Sequence, residues 1–78
     1  MSKMNLEECV RASLESYFQD LDGIAPDGMY SMMVRVVEKP LLEVVMHHAA
    51  HNQSRAAEWL GLNRNTLRKK LVEHKLIK

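Results

Sequence analysis

The chain begins with a stripe of apolar residues at helical spacing. These residues recur at intervals of four, four, four and three, and they are Leu6, Val10, Leu14, Phe18 and Leu21. The positions between them are mostly polar, as on an amphipathic α-helix with one buried face. The pattern therefore predicts a first helix that lays one stripe on a core. It should end near Asp22 and Gly23, because glycine readily adopts the left-handed conformation of a helix C-terminus.

A second segment, from Met29 to His48, is apolar on nearly every side. A helix that is apolar all round is buried all round. A chain of 78 residues with few other elements offers too little surface to cover it. We therefore expect a second copy of the chain to cover this helix in a homodimer. Pro40 lies midway and lacks a backbone N–H, so a kinked helix is expected here.

Beyond residue 50 the pattern predicts two short helices, from Gln53 to Leu60 and from Arg64 to about His74. Asn52 and Asn63 precede them, and asparagine is a favoured helix N-cap. The apolar run from Met29 shows no strict alternation and no turn residues that would end strands. The fold class predicted is therefore all-α, with four helices in each subunit.

The two short helices have the spacing of a C-terminal helix-turn-helix, which we place from Gln53 to Val72. Ala57 is small at the position where the second helix crosses the first. Gly61 can take the positive φ angle of a tight turn without steric cost. Leu62 and Leu67 are then expected to hold the second helix against the first.

Charge is distributed unevenly, although the net charge of the chain is only +1. Residues 1–50 carry four Lys or Arg against eight Asp or Glu, whereas residues 51–78 carry seven against two. Such asymmetry indicates that the basic end meets a polyanion. We therefore assign residues 1–50 to dimerisation helices and residues 51–78 to a DNA-binding region, within a single structural domain.

The polar face of the last helix is mostly cationic and suits duplex DNA. Recognition helices enter the major groove N-terminus first, so Asn63 and Arg64 are expected to contact bases. Arginine can bind guanine, and asparagine adenine, through paired hydrogen bonds. A basic face can also be plain solvated surface, but here it coincides with the turn pattern and the paired caps. Phosphate contacts are expected at Asn52, Ser54, Thr66, Arg68, Lys69 and Lys70.

The segments Asn52–Ala57 and Gly61–Leu71 resemble the Fis family of bacterial nucleoid-associated DNA-binding proteins, and the resemblance continues through Val37–Glu43 back to Leu6. The resemblance implies an intertwined all-helical homodimer whose recognition helices lie closer together than one DNA turn, so that the DNA bends. It implies the same base and phosphate contacts, and a cytoplasmic, nucleoid-associated regulator of transcription. Larger members contact recombinases through an N-terminal arm. Only five residues precede Leu6, so we do not expect that activity.

Other functional classes find less support in the sequence. The chain offers no arrangement of catalytic groups, so we do not expect an enzyme. His47, His48 and His51 lie near a helix C-terminus, where the helix dipole favours histidine, and a further ligand is not evident. We therefore expect no metal and no cofactor. Cys9 is the single cysteine of the chain and cannot form an internal disulfide. The absence of internal disulfides is typical of proteins in the reducing cytoplasm.

An alternative function is that of a protein-interaction module. In that case the helical dimer would dock on a partner such as a recombinase or an RNA polymerase subunit. Trp59 follows the inward pair Ala56 and Ala57, so we expect it to pack rather than to stack on bases. The apolar stretches are interrupted by charge within a few residues, which indicates a soluble intracellular protein rather than a membrane protein.

Overall fold

The computed structural model describes residues 5–77, and within them it contains four α-helices and no strand. The helices are α1 (Leu6–Leu21), α2 (Met29–His48), α3 (Gln53–Leu60) and α4 (Arg64–Glu73). The predicted all-α subunit of four helices is therefore confirmed, with α3 and α4 forming the helix-turn-helix. Pro40 lies inside α2, as predicted.

Asparagine caps and left-handed turn residues determine where the helices begin and end. The side chains of Asn5, Asn52 and Asn63 each accept a hydrogen bond from a backbone N–H at the start of α1, α3 and α4. Gly61 closes α3 with a φ angle of 71°, which confirms its predicted role in the turn. The first helix ends at Leu21, next to Asp22 and Gly23 as predicted, and Asp22 shares the positive φ angle of Gly23, with values of 50° and 86°.

The buried core lies at one end of the molecule, between the second half of α2 and the helix-turn-helix. All three helices and the C-cap of α2 contribute buried apolar side chains, and these are Leu42, Met46, Ala49, Ala56, Ala57, Leu67 and Leu71. Burial of this kind stabilises a fold by about 25 cal/mol for each Å² of apolar surface removed from water. Because Leu42 and Met46 belong to α2 and Ala49 is its C-cap, the core joins the predicted dimerisation helix directly to the predicted DNA-binding region.

The first helix does not reach this core. No residue of α1 is buried, and Phe18 on its apolar stripe remains 47% exposed. The prediction that α1 lays its stripe on a core is therefore wrong for the single chain. The first half of α2 is equally open, since Tyr30 is 85% exposed and Val36 is exposed as well. A large apolar surface is thus left uncovered by the chain itself.

None of the helices between residues 5 and 77 combines the length and the hydropathy that a membrane crossing requires.

Candidate nucleic-acid interface

A polar cleft of about 380 Å³ lies where the N-terminus of α3 meets the first half of α4. Its walls carry amide, hydroxyl, imidazole and guanidinium groups, from His51, Asn52, Gln53, Ser54, Arg64, Asn65 and Arg68. Four of the predicted contact residues meet here, namely Asn52, Ser54, Arg64 and Arg68. Two arginines close to the N-terminus of a helix form a surface that attracts anions, because unpaired N–H groups and the helix dipole both favour negative charge.

The two asparagine caps keep part of their hydrogen-bonding capacity. Oδ1 of Asn52 accepts a hydrogen bond from the backbone N–H of Arg55, with 3.0 Å between the atoms. Oδ1 of Asn63 accepts one from the backbone N–H of Asn65, at 2.8 Å. Within residues 5–77 no hydrogen bond involves the side-chain NH₂ group of either cap, which supplies two donors. Donors alone suffice to bind a phosphate, so the cap role of Asn52 is compatible with a phosphate contact.

Arg64 and Ser54 contact each other across the cleft. Nη1 of Arg64 donates a hydrogen bond to Oγ of Ser54, at a distance of 3.1 Å. Arg64 is the first residue of α4, and Ser54 is the second residue of α3. A predicted base contact and a predicted phosphate contact are therefore linked directly in the free protein.

The other predicted contact residues lie outside the lining of the cleft. Thr66 and Lys69 are exposed on α4, and Asn63 is exposed immediately before it. Lys70 is only partly exposed and forms an ion pair with Glu38 of α2, with 2.8 Å between Nζ and Oε2. The ammonium group of Lys70 is thus paired within the chain. Lys69 takes part in none of the ion pairs among residues 5–77.

Glu38 is the centre of a partly buried cluster on the side of α4 that faces α2. Besides Lys70, it meets His74, whose Nε2 atom lies 2.9 Å from Oε1 of Glu38. The hydrogen bond from Lys70, and next that from His74, hold the pKa of the Glu38 carboxyl below its ordinary value, although partial burial opposes the shift. The same hydrogen bond raises the pKa of Lys70, again against partial desolvation. These directions show that the cluster favours the charged forms of both partners.

One group of possible metal ligands occurs among the described residues. Potential ligand atoms of Glu38, Glu73 and His74 lie within 4.8 Å of one another. The ammonium group of Lys70 already provides a positive charge 2.8 Å from Glu38, and a second cation beside it would be repelled. We therefore interpret the group as an ion-pair cluster rather than as a metal centre. His47, His48 and His51 do not belong to it.

Three further residues line the cleft without having been assigned a contact from the sequence, namely His51, Gln53 and Asn65. His51 was weighed only as a metal ligand, yet it lines the cleft with a left-handed φ angle of 62°. Its place directly before the N-cap Asn52 was a signal that could have identified it. Trp59 is 56% exposed on α3, so the single chain does not bury it in the core.

A second surface feature is an apolar groove of about 450 Å³ between α1 and α2. Apart from Glu38 its lining is apolar or aromatic, and it consists of Val10, Leu14, Tyr30, Met33, Val34, Val37 and Leu41. An apolar groove of this kind, continuous with further exposed apolar residues on α2, is a candidate contact with another protein.

Comparison with known proteins shows extensive similarity. Residues 33–77 match the family model described as bacterial regulatory protein, Fis family. A Fis-like DNA-binding protein of Ralstonia nicotianae is 53% identical over 77 residues, which cover 99% of this chain and 100% of that protein. A Fis-like DNA-binding protein of Neisseria meningitidis serogroup A is 53% identical over 73 residues, covering 94% of this chain and 92% of its own. The DNA-binding protein Fis of Glaesserella parasuis is 44% identical over 69 residues, covering 88% of this chain and 70% of its own.

Proposed function

The chain belongs to the Fis family of bacterial regulatory proteins, and on this basis we propose that it binds duplex DNA through α3 and α4. The family match extends over the whole helix-turn-helix, and relatives named as DNA-binding proteins cover most of the chain. The proposal is that of a binding protein which regulates transcription, without a catalytic step.

The observation that carries this proposal is the cleft between α3 and α4. It gathers two guanidinium groups, a hydroxyl and three amides around the N-terminus of α3, and proteins use such groups on phosphates and base edges. In the assignment that we propose, Arg64 and Asn63 read bases at the N-terminus of α4. Asn52 and Ser54 bind phosphates on the flanking strand. Further phosphate contacts come from Thr66, Arg68 and Lys69. Lys70 has a lesser part, since its ammonium group is paired with Glu38.

We further propose that the protein acts as a homodimer. The support is the apolar groove between α1 and α2, which the chain leaves open, and the exposed apolar residues along α2. A second copy that covers this groove would set the distance between the two α4 helices. Because the core joins α2 directly to α3 and α4, dimer geometry would be transmitted to the base-reading residues.

We also propose that the dimer bends DNA. Only two residues in each subunit are proposed to read bases. We therefore assign part of the selectivity to DNA shape, because sequences differ in how readily the duplex bends and narrows its minor groove between the two copies. A protein that bends DNA with modest sequence preference can bind at many sites along the chromosome, as a nucleoid-associated protein does. Its proposed location is therefore the bacterial cytoplasm.

Salt-dependent binding tests the proposal. The affinity for a duplex is measured by fluorescence anisotropy over a salt series, for the wild type and for Arg64→Ala and Lys69→Ala. Binding that releases counterions weakens linearly in a plot of log affinity against log salt. Arg64→Ala should relax base preference, whereas Lys69→Ala should weaken binding to all sequences and reduce the salt slope by about 1 for each subunit bound to the DNA.

Two results would contradict the proposal. Affinity that does not fall as salt rises would argue against phosphate contacts and would favour the protein-interaction module instead. Identical behaviour of the Arg64→Ala and Lys69→Ala proteins would refute the division between base reading and phosphate binding.

A further inference from the structure

The hydrogen bond between Arg64 and Ser54 connects two positions that are ten residues apart in the chain. Both side chains are exposed, so no packing constraint forces them together. They lie at the N-terminal ends of the two helices that line the cleft, and both line the cleft itself. The contact therefore connects the residue proposed to read a base with a residue proposed to meet the phosphate backbone.

Both partners keep the capacity to bind DNA while this contact is made. A guanidinium group has five N–H donors, and the contact with Ser54 uses one of them. A neighbouring pair of donors on Arg64 remains for the two acceptors of a guanine edge. The hydroxyl of Ser54 accepts from Arg64 through a lone pair, so its own O–H can donate to a phosphate oxygen at the same time.

We propose that Ser54 is a positioning residue for base reading, which bridges a backbone phosphate and the guanidinium group of Arg64. The inference rests on the proposed DNA binding and assigns Ser54 a role beyond that of a plain phosphate contact. Phosphate contacts set the register of a protein on the duplex, and base contacts supply the sequence information. Because Ser54 would contact both the phosphate and Arg64, the position of the phosphate backbone would directly orient the guanidinium group that reads the base.

The physical gain is preorganisation. A free arginine side chain samples many rotamers, and this freedom is lost when it binds a base. A hydrogen bond to Ser54 restricts the guanidinium group before DNA arrives, so less freedom remains to be lost on binding. Removing the hydroxyl should therefore weaken the discrimination between bases more than it weakens the affinity for DNA in general.

The experiment begins with selection of bound fragments from a random DNA pool by the wild type and by Arg64→Ala. The base pair whose preference disappears in Arg64→Ala is the one that Arg64 reads. Affinities are then measured on the selected site and on the same site changed at that base pair. The proteins compared are the wild type, Ser54→Ala, Ser54→Thr and the double variant of Ser54→Ala with Arg64→Ala.

We expect Ser54→Ala to reduce the preference for the selected base by about two- to tenfold, which is the range for ordering one long side chain. Ser54→Thr keeps the hydroxyl and should retain the wild-type preference. In the Arg64→Ala background, loss of the hydroxyl should change the preference no further, because the two effects pass through one contact. Ser54 is exposed and alanine favours helices, so circular dichroism should show unchanged helix content in Ser54→Ala.

An equal loss of affinity on both DNA sites would overturn the inference and leave Ser54 as a plain phosphate contact, with DNA binding intact. A loss of preference that persists in the Arg64→Ala background would overturn it as well. Failure of the wild type to bind DNA with salt-sensitive affinity is a distinct result, since it would overturn the proposed function together with this inference. If the wild type binds DNA but no base preference disappears in Arg64→Ala, the proposed base reading by Arg64 is overturned, and this inference with it.

Discussion

Lys70 donates a hydrogen bond from Nζ to Oε2 of Glu38 over 2.8 Å, and this ion pair joins α4 to α2. The side chain of Glu38 is only 17% exposed and that of Lys70 31%, so solvent screens the pair less than it screens a pair on the open surface. The neighbouring Lys69 is exposed. Two adjacent lysines of one basic run thus have different environments, and their removal should have different consequences.

The first prediction concerns these two lysines. Lys70→Ala should lower the free energy of unfolding by about 1 to 2 kcal/mol, because it removes a charged hydrogen bond from a partly buried carboxylate. Lys69→Ala should leave that free energy nearly unchanged, as surface substitutions generally do. The salt slope of DNA binding should respond in the opposite order, with the larger reduction in Lys69→Ala. Denaturant unfolding and salt titration of both proteins provide the measurements, and a larger change of slope in Lys70→Ala would contradict the prediction.

The second prediction concerns the dependence of stability on pH. The pKa of Glu38 is lowered from its ordinary value of 4.5 in the folded chain. The ionised carboxylate therefore stabilises the fold above pH 4.5, and this contribution is lost as the pH falls through the lowered pKa. Glu38→Gln removes the titrating group, so the difference in unfolding free energy between wild type and variant should shrink as the solution is acidified below pH 4.5.

The control for the acid range is Glu7→Gln. Glu7 pairs with Arg11 one helical turn away, at 2.9 Å, but both side chains are largely exposed. Exposed pairs contribute little to stability, so this variant should follow the wild type at every pH. Equal acid sensitivity of the wild type and Glu38→Gln would show that Glu38 is not stabilised in its charged form.

Local signals in the sequence predicted the helices well. The caps Asn52 and Asn63 act on N–H groups two or three residues away, and Gly61 acts on its own backbone. Such interactions can be read from a short window of sequence, and the bounds of α2 and α3 were predicted correctly for the same reason. Half of the proposed contact residues also meet in one cleft, as a helix-turn-helix requires.

The features that sequence reasoning missed depend on residues far apart in the chain. Glu38 and Lys70 are separated by 32 positions, and no periodicity indicates that they pair. Trp59 is 56% exposed in the single chain, although it follows the buried pair Ala56 and Ala57. The buried alanines indicate a close approach of the core helices and do not determine the burial of the residues that follow them.

The third prediction tests the apolar groove as the dimer contact. Val34 lines the groove on α2, and Val34→Asp would bury a charge wherever a second copy covers it. We expect this variant to sediment as a smaller species than the wild type at equal concentration. Val72→Asp is the matched control, because Val72 is an equally exposed valine on α4 that does not line the groove. A wild-type chain that sediments as a monomer, or a dimer that tolerates Val34→Asp, would count against this surface.

The fourth prediction concerns the turn between α2 and α3. Ala50 has a φ angle of 55°, a left-handed conformation that costs a residue with a Cβ atom roughly 1 to 2 kcal/mol. Glycine adopts this conformation freely but loses more freedom on folding, which offsets part of the gain. Ala50→Gly should therefore raise the free energy of unfolding by up to about 1 kcal/mol.

Thermal unfolding at one fixed protein concentration measures this effect, because the melting temperature of an oligomer depends on concentration. For a domain of this size 1 kcal/mol corresponds to a shift of about 4 to 8 °C. The matched control is Ala49→Gly, since Ala49 is fully buried and has a φ angle of −84°. That substitution removes a buried methyl group and adds backbone freedom to the unfolded chain, so it should lower the melting temperature. If both variants melt below the wild type, the strain at Ala50 is smaller than the cost of the added freedom, and the prediction is wrong.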